Sequence, residues 1–241
     1  GTSFSPVLSQ AAVAGGTIQP AGGSDVPKPA EGGFDREPET TETFEIGTKW
    51  DLFNERLRLS SSIFRITKDN AASFDSNNRV TVNGEEEIDG FELSANGAIT
   101  PNWRILGGYT YLDGEVTESN IKERLPNGQV VNREGLDLNQ TPEHSFTAWT
   151  TYQLPYNLDV GFGALYVDER SEFQGRTGRG IVTVDDYWRF DATASYQWTP
   201  NVGLRLNVIN LADEDYIEGL NAAQSVPGAG RTALLTLTYK M

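Results

Sequence analysis

The 241-residue chain carries 34 acidic and 19 basic side chains, a formal charge of −15 that excludes nucleic acid as a partner. It has no cysteine, so disulfides and thiolate metal sites are excluded, and its single histidine, His144, excludes a multi-histidine metal centre. Mean hydropathy is −0.44 and no run approaches the roughly 18 apolar residues of a membrane helix. Strands that cross a bilayer escape that test, because every second residue faces water or lumen.

In chain order, Gly1-Thr2-Ser3-Phe4-Ser5-Pro6 resembles the top of a strand whose beginning is missing. It has neither the basic nor the apolar region of a signal peptide, so either that peptide was removed or the sequence is an internal piece of a longer chain, which the strand count favours. Residues 7–42 are rich in Gly, Pro, Ala and Glu without periodicity, and residues 1–42 are read as a strand end and a long extracellular loop.

From residue 43 the pattern becomes regular. Residues 43–50 set Phe44, Ile46, Thr48 and Trp50 against Glu45, Gly47 and Lys49. Residues 56–67 follow, where the phase of Leu57, Leu59 and Ile63 gives way to Phe64 and Ile66. After a polar loop over 68–87, residues 88–98 and 103–112 alternate; Trp103, Ile105, Gly107, Tyr109 and Tyr111 share a face of the second. A long loop, 113–142, leads to 143–153, then 158–167, then a loop over 168–185. Residues 186–198 place Trp188, Phe190, Ala192, Ala194, Tyr196 and Trp198 on one side, and 202–210 and 231–241 complete the series.

Alternation sustained over about ten residues is the length of a membrane-crossing strand, where a soluble strand usually stops at five or six. Connections alternate short and long, and Trp50, Trp103, Tyr152, Trp198 and Tyr239 stand near the short ones, as an interfacial aromatic belt requires. The reading is all-β: a transmembrane antiparallel β-barrel of which residues 43–241 supply the C-terminal strands. Nine complete strands plus the stub make about ten. Single-chain bacterial barrels close with even numbers, so a piece of a larger barrel is expected.

Val226-Pro227-Gly228-Ala229-Gly230-Arg231 resembles the last loop and strand of TonB-dependent outer-membrane receptors, and other stretches match in the same order. They are the opening six residues, Phe44-Glu45-Ile46-Gly47-Thr48-Lys49-Trp50, Asp89-Gly90-Phe91-Glu92-Leu93, Thr100-Pro101-Asn102-Trp103 and Gly108-Tyr109-Thr110-Tyr111. Thr141-Pro142-Glu143-His144-Ser145-Phe146 and Asn210-Leu211-Ala212-Asp213-Glu214-Asp215-Tyr216 close the series. The chain is most similar to the catecholate-type ferric-siderophore receptors. The resemblance implies a 22-stranded barrel in the outer membrane of a Gram-negative bacterium, with a plug domain outside this sequence. It implies import of a ferric siderophore bound by the extracellular loops, and plug displacement energised by the TonB complex. Outer-membrane lipid and the barrel assembly machinery are further partners. No cofactor is implied, since iron enters only as part of its siderophore. Family members usually end in an aromatic residue, whereas this chain ends in Met241. A passive porin or a small adhesion barrel is the alternative.

Enzyme chemistry finds little footing. His144 and Ser145 are neighbours in a strand and point to opposite faces, so they do not form a nucleophile–base pair. Glu85-Glu86-Glu87 and Asp213-Glu214-Asp215 lack the spacing of a calcium loop and read as solvated loops. For an anionic, flat-faced ferric catecholate, the candidate contacts are Arg170, Arg176 and Arg179, with Tyr111, Phe173, Tyr187 and Trp188 as stacking surfaces. The alternative for the arginines is pairing with Asp168, Glu169, Glu172, Asp185 and Asp186. Arg189, Arg205 and Lys240 are read as lumen-facing, toward a plug, and Gly161 and Gly163 as a bare patch suited to plug packing or curvature.

Overall fold

Antiparallel pairing turns the alternating segments into one sheet. The computed structural model describes residues 38–74, 80–119, 122–124, 127–174, 180–221 and 224–240. The expected strand stub, the Gly/Pro-rich loop as far as residue 37, Arg176, Arg179 and Met241 lie outside the described residues. The strands are β1 (Thr40–Leu52), β2 (Leu57–Phe74), β3 (Val80–Thr100), β4 (Trp103–Glu118), β5 (Lys122–Arg124), β6 (Val130–Asn132), β7 (His144–Leu154) and β8 (Leu158–Val167). They continue as β9 (Arg170–Gln174), β10 (Gly180–Val184), β11 (Tyr187–Thr199), β12 (Val202–Ile209), β13 (Ile217–Asn221), β14 (Gln224–Pro227) and β15 (Thr232–Tyr239). Nine of them form a single sheet in the order β1-β2-β3-β4-β7-β8-β11-β12-β15, each antiparallel to the next.

The register gathers apolar side chains on one face. Tyr109, Phe146, Tyr166 and Trp188 stand opposite one another across four strands. Lower on the same face, Leu206 pairs with Leu235, Leu204 with Leu237 and Val202 with Tyr239. Leu235, Leu237 and Tyr239 are each 67% exposed, which a soluble sheet would not tolerate as a continuous patch. Lipid covers it. Trp50, Trp103, Tyr152, Trp198 and Tyr239 each lie within three residues of a short turn or of a residue paired beside one, forming the lower aromatic girdle.

Three features depart from the sequence reading. The loop expected at 68–87 is mostly strand: β2 and β3 run 18 and 21 residues, well beyond the ~9–11 that a tilted bilayer crossing needs. Above the membrane both faces meet water, so these paired residues carry no apolar period for the sequence to reveal. The run 85–87 therefore belongs to β3, where Glu86 lies 3.8 Å from Lys68 and Glu85 accepts from the Thr117 hydroxyl at 2.8 Å. Second, the long connections 119–143, 168–186 and 210–231 contain three short ribbons, β5–β6, β9–β10 and β13–β14.

Third, the inner face is less bare than its glycines suggest. The Trp149 indole lies over Gly163, where a Cβ would overlap it, and a Cβ on Gly161 would come 3.1 Å from the same ring and 2.8 Å from Thr193. Phe64, the residue that broke the phase of β2, covers Gly90 in the same way. An aromatic ring laid across a neighbouring glycine buries apolar surface where no side chain could stand.

At the loop side of the sheet the break between β12 and β13 is built around Asn210, whose relative exposure is 0%. Its N–H donates to Asp191 at 2.8 Å, and its side-chain amide donates to the Glu214 carbonyl at 2.9 Å and the Ala229 carbonyl at 3.0 Å. Its Oδ1 accepts from the Glu214 N–H at 2.9 Å. The amide satisfies groups that the sheet has stopped serving, as turn asparagines do.

In the full-length protein, Leu235→Arg is expected to cost about 2–4 kcal/mol of barrel stability and Thr236→Arg, on the inner face, much less. Heat-modifiable gel migration of outer-membrane preparations measures both; equal effects would mean that the faces are misassigned. Gly163→Ala is expected to destabilise by about 1–3 kcal/mol in the wild-type background and far less with Trp149→Ala, a coupling read from thermal unfolding of the four variants. Asn210→Ala strands a buried N–H and two carbonyls and should cost about 2–4 kcal/mol in the same unfolding assay.

Candidate functional site

The inner face at the top of β11 brings charge and stacked rings together. Alternation puts Tyr187, Arg189 and Asp191 on that face, opposite Val167, Leu165 and Gly163 of β8. The Arg189 guanidinium donates to Asp191 at 3.1 Å and reaches the Tyr216 hydroxyl at 3.5 Å, the long limit of a hydrogen bond. Tyr187 and Tyr216 stack with centroids 4.3 Å apart and planes at 22°. Tyr216 in turn covers Gly228, where a Cβ would collide with its ring. Asp191 accepts from both Arg189 and the Asn210 N–H, so the turn motif and the arginine share one carboxylate.

Arg170 opens β9 beside this cluster. Its Nη1 donates to the Glu218 carbonyl at 3.0 Å and its Nη2 to the Ile217 carbonyl at 2.8 Å. The expected alternative, pairing with loop carboxylates, is not what these contacts are: both acceptors are backbone oxygens of β13. Each guanidinium keeps one donor idle, since the Nε of Arg170 and of Arg189 are buried without a hydrogen-bond partner. Such donors carry a desolvation cost that an incoming acceptor would relieve.

The candidate stacking residues divide. Tyr187 belongs to the inner cluster. Tyr111 and Trp188 stand on the outward apolar face, separated by the sheet from Arg170 and Arg189. Trp188 packs 4.8 Å from Tyr166 and 6.1 Å from Phe146, and Tyr111 lies 5.2 Å from the His144 ring. They form an upper aromatic girdle: strands carry such a girdle at both ends, and alternation alone does not mark which loop residues lie above it. The side chain of Phe173, like Arg176 and Arg179, is outside the description. Arg205 faces inward, paired in register with Ser195 and Thr236, whereas Lys240 follows β15 at the short-turn end, its N–H bonded to Asn201 at 2.9 Å.

His144 sits in the outward girdle with its Nδ1 2.9 Å from the Tyr109 hydroxyl, and Ser145 points the other way. Asp213 pairs with Arg231 at 3.4 Å rather than gathering with its acidic neighbours. Sequence reasoning met Tyr216 only at the end of a family-like stretch and did not single out Asp191 or Gln140. Inward placement on β11 was the available signal for Asp191. The loop residue Gln140 offered none.

Comparison with known proteins meets this geometry. A family model described as TonB dependent receptor-like, beta-barrel, matches residues 1–211. The chain is 39% identical over 209 residues to the probable TonB-dependent siderophore receptor PiuA of Acinetobacter baumannii, covering 85% of this chain and 27% of that protein. It is 35% identical over 206 residues to the catecholate siderophore receptor Fiu of Escherichia coli K12, covering 84% and 26%. It thus spans about a quarter of the length of the curated relatives it matches. The crystal structure of PiuA superposes with a TM-score of 0.72 at 37% identity, over 83% of this chain and 28% of that one. The closed form of Fiu gives 0.70 at 33%, over 85% and 28%. The ferripyoverdine receptor of Pseudomonas aeruginosa, at 22% identity and a TM-score of 0.69, shares the fold. Lipid-facing alternation, short turns on one side and ribboned loops on the other are thus the marks of one lineage: the chain belongs to the TonB-dependent receptor β-barrel family and is part of such a barrel in the outer membrane of a Gram-negative bacterium.

Proposed function

We propose that this chain supplies the C-terminal strands and ligand-facing loops of a receptor that imports a ferric siderophore, with a catecholate-type complex favoured. The observation that carries the reading is the inner-face cluster of Arg170, Arg189, Tyr187 and Tyr216, with two buried guanidinium Nε groups still lacking acceptors. In a chain of charge −15, concentrated positive charge beside stacked phenol rings favours an anionic, aromatic guest. The names of PiuA and Fiu support siderophores as the substrate class. Arg176, Arg179 and Phe173 remain proposed contacts on the same loop, with Arg170 and Arg176 foremost. Arg205 and Lys240 are proposed to meet a plug domain, together with the inner surface of Arg189.

Import by this reading involves no covalent chemistry, and the protein is not an enzyme. The loops capture the ferric complex, and the TonB complex, acting through the plug, opens the lumen. Outer-membrane lipid seals the apolar face, and the barrel assembly machinery inserts it. Iron is cargo here, with no resident cofactor.

The test is radiolabelled iron uptake by cells carrying the full-length receptor, supplied with a ferric catecholate complex. Uptake should stop when the inner-membrane proton gradient is dissipated; uptake that persists would favour a passive pore. Arg170→Ala combined with Arg189→Ala should weaken binding of the complex by about 30-fold or more, as loss of desolvated charged donors does. Trp188→Ala, on the outward face, should leave the affinity unchanged.

A further inference from the structure

Three long loops meet at one residue. Gln140, in the connection 119–143, holds a left-handed backbone at φ 57°, a conformation that side-chain-bearing residues seldom adopt without compensation. Its N–H donates to the Ser171 carbonyl of β9 at 2.7 Å. Its side-chain Oε1 accepts from the Leu220 N–H of β13 at 3.2 Å. One residue thus ties the connection before β7 to the ribbons before β11 and β15. Arg170, next to Ser171, closes the same triangle by donating to the carbonyls of Ile217 and Glu218.

The two links differ in kind. The Gln140 links join neutral groups with matched partners. The Arg170 link spends a full positive charge on two neutral carbonyls and leaves a buried Nε unmatched. An anion offers that guanidinium an ionised acceptor, and a bidentate one where its oxygens match the planar fork, in place of two neutral carbonyls, so it competes well for the side chain.

We propose that Gln140 is a positioning residue that fixes Arg170 and latches the three loops together, and that an anionic ligand opens the latch by drawing Arg170 off the β13 carbonyls. The ligand half rests on the import reading above; the positioning half does not. Gln140 holds the backbone on both sides of the Arg170 contact, at Ser171 and at Leu220, so the guanidinium meets the ligand from one defined place. Once Arg170 has turned away, the Gln140 side-chain bond to Leu220 still ties the upper part of β13 to the connection 119–143, while Tyr216 and Asn210 hold the base of the ribbon, so its outer part is freer to move.

The experiment is amide hydrogen exchange on the full-length receptor. Gln140→Gly removes the acceptor for Leu220 while relieving the left-handed backbone, so thermal stability should hold. Exchange at Leu220 and along β13–β14 should accelerate about fivefold or more, and Gln140→Glu, which keeps an acceptor oxygen, should return it to the wild-type rate. Iron(III) tris-catecholate added to wild type should likewise accelerate exchange in β13–β14 and add little in Gln140→Gly. Unchanged exchange at Leu220 in Gln140→Gly would overturn the latch. Bound tris-catecholate that slows or leaves unchanged the exchange of β13–β14 would overturn its opening by the ligand. Failure of the complex to bind wild type would instead remove the import reading, while the glycine variant still decides the role of Gln140.

Discussion

Backbone hydrogen bonding in a medium without water is the constraint on which this structure depends. A strand in lipid must have its N–H and C=O groups satisfied by neighbouring strands, because nothing else in the bilayer can accept or donate. Nine strands pair in strict sequential order, each antiparallel to the next, and the seven between β1 and β15 have neighbours on both sides. Antiparallel neighbours joined by tight turns require half the connections to be short. The others are free to lengthen on the opposite side, and there they carry ribbons, rings and charge.

That division separates two kinds of stability. In the wall, side chains on the lipid face gain little from one another beyond what lipid offers, and order comes from pairing and register. On the inner face, packing reappears wherever a glycine leaves room, as with Trp149 over Gly163, Phe64 over Gly90 and Tyr216 over Gly228. Polar closure takes over at the top. Asn210, fully buried, binds Asp191, Glu214 and Ala229 at once, and Asp191 passes that order on to Arg189. A surface so supported presents its guanidinium groups from fixed positions.

The candidate site was legible in pieces. Arg170 and Tyr187 were visible because positive charge and aromatic rings in a loop of an acidic chain suit an anionic guest, and both fall in the inner cluster. Tyr111 and Trp188 were chosen on the same chemistry, yet they stand across the sheet in the outward girdle. Residue type does not encode which side of a girdle an aromatic occupies. Tyr216 and Gln140 show the converse: each meets the site through partners 27 to 80 positions away, beyond the reach of any local pattern.

What the sequence by itself determined is the wall. Period-two alternation assigns faces residue by residue, and its length sets the bilayer as solvent, so nine strands, their order and their apolar side follow from local pattern. Only the tertiary structure decided the upward extensions of β2 and β3, the loop ribbons, the ring-over-glycine contacts and the meeting of Arg170, Arg189 and Gln140 with their partners. The physical reason is solvent. Lipid imposes a periodic constraint on consecutive residues, whereas above the membrane water satisfies both faces, and structure there rests on hydrogen bonds between distant loops that leave no period behind.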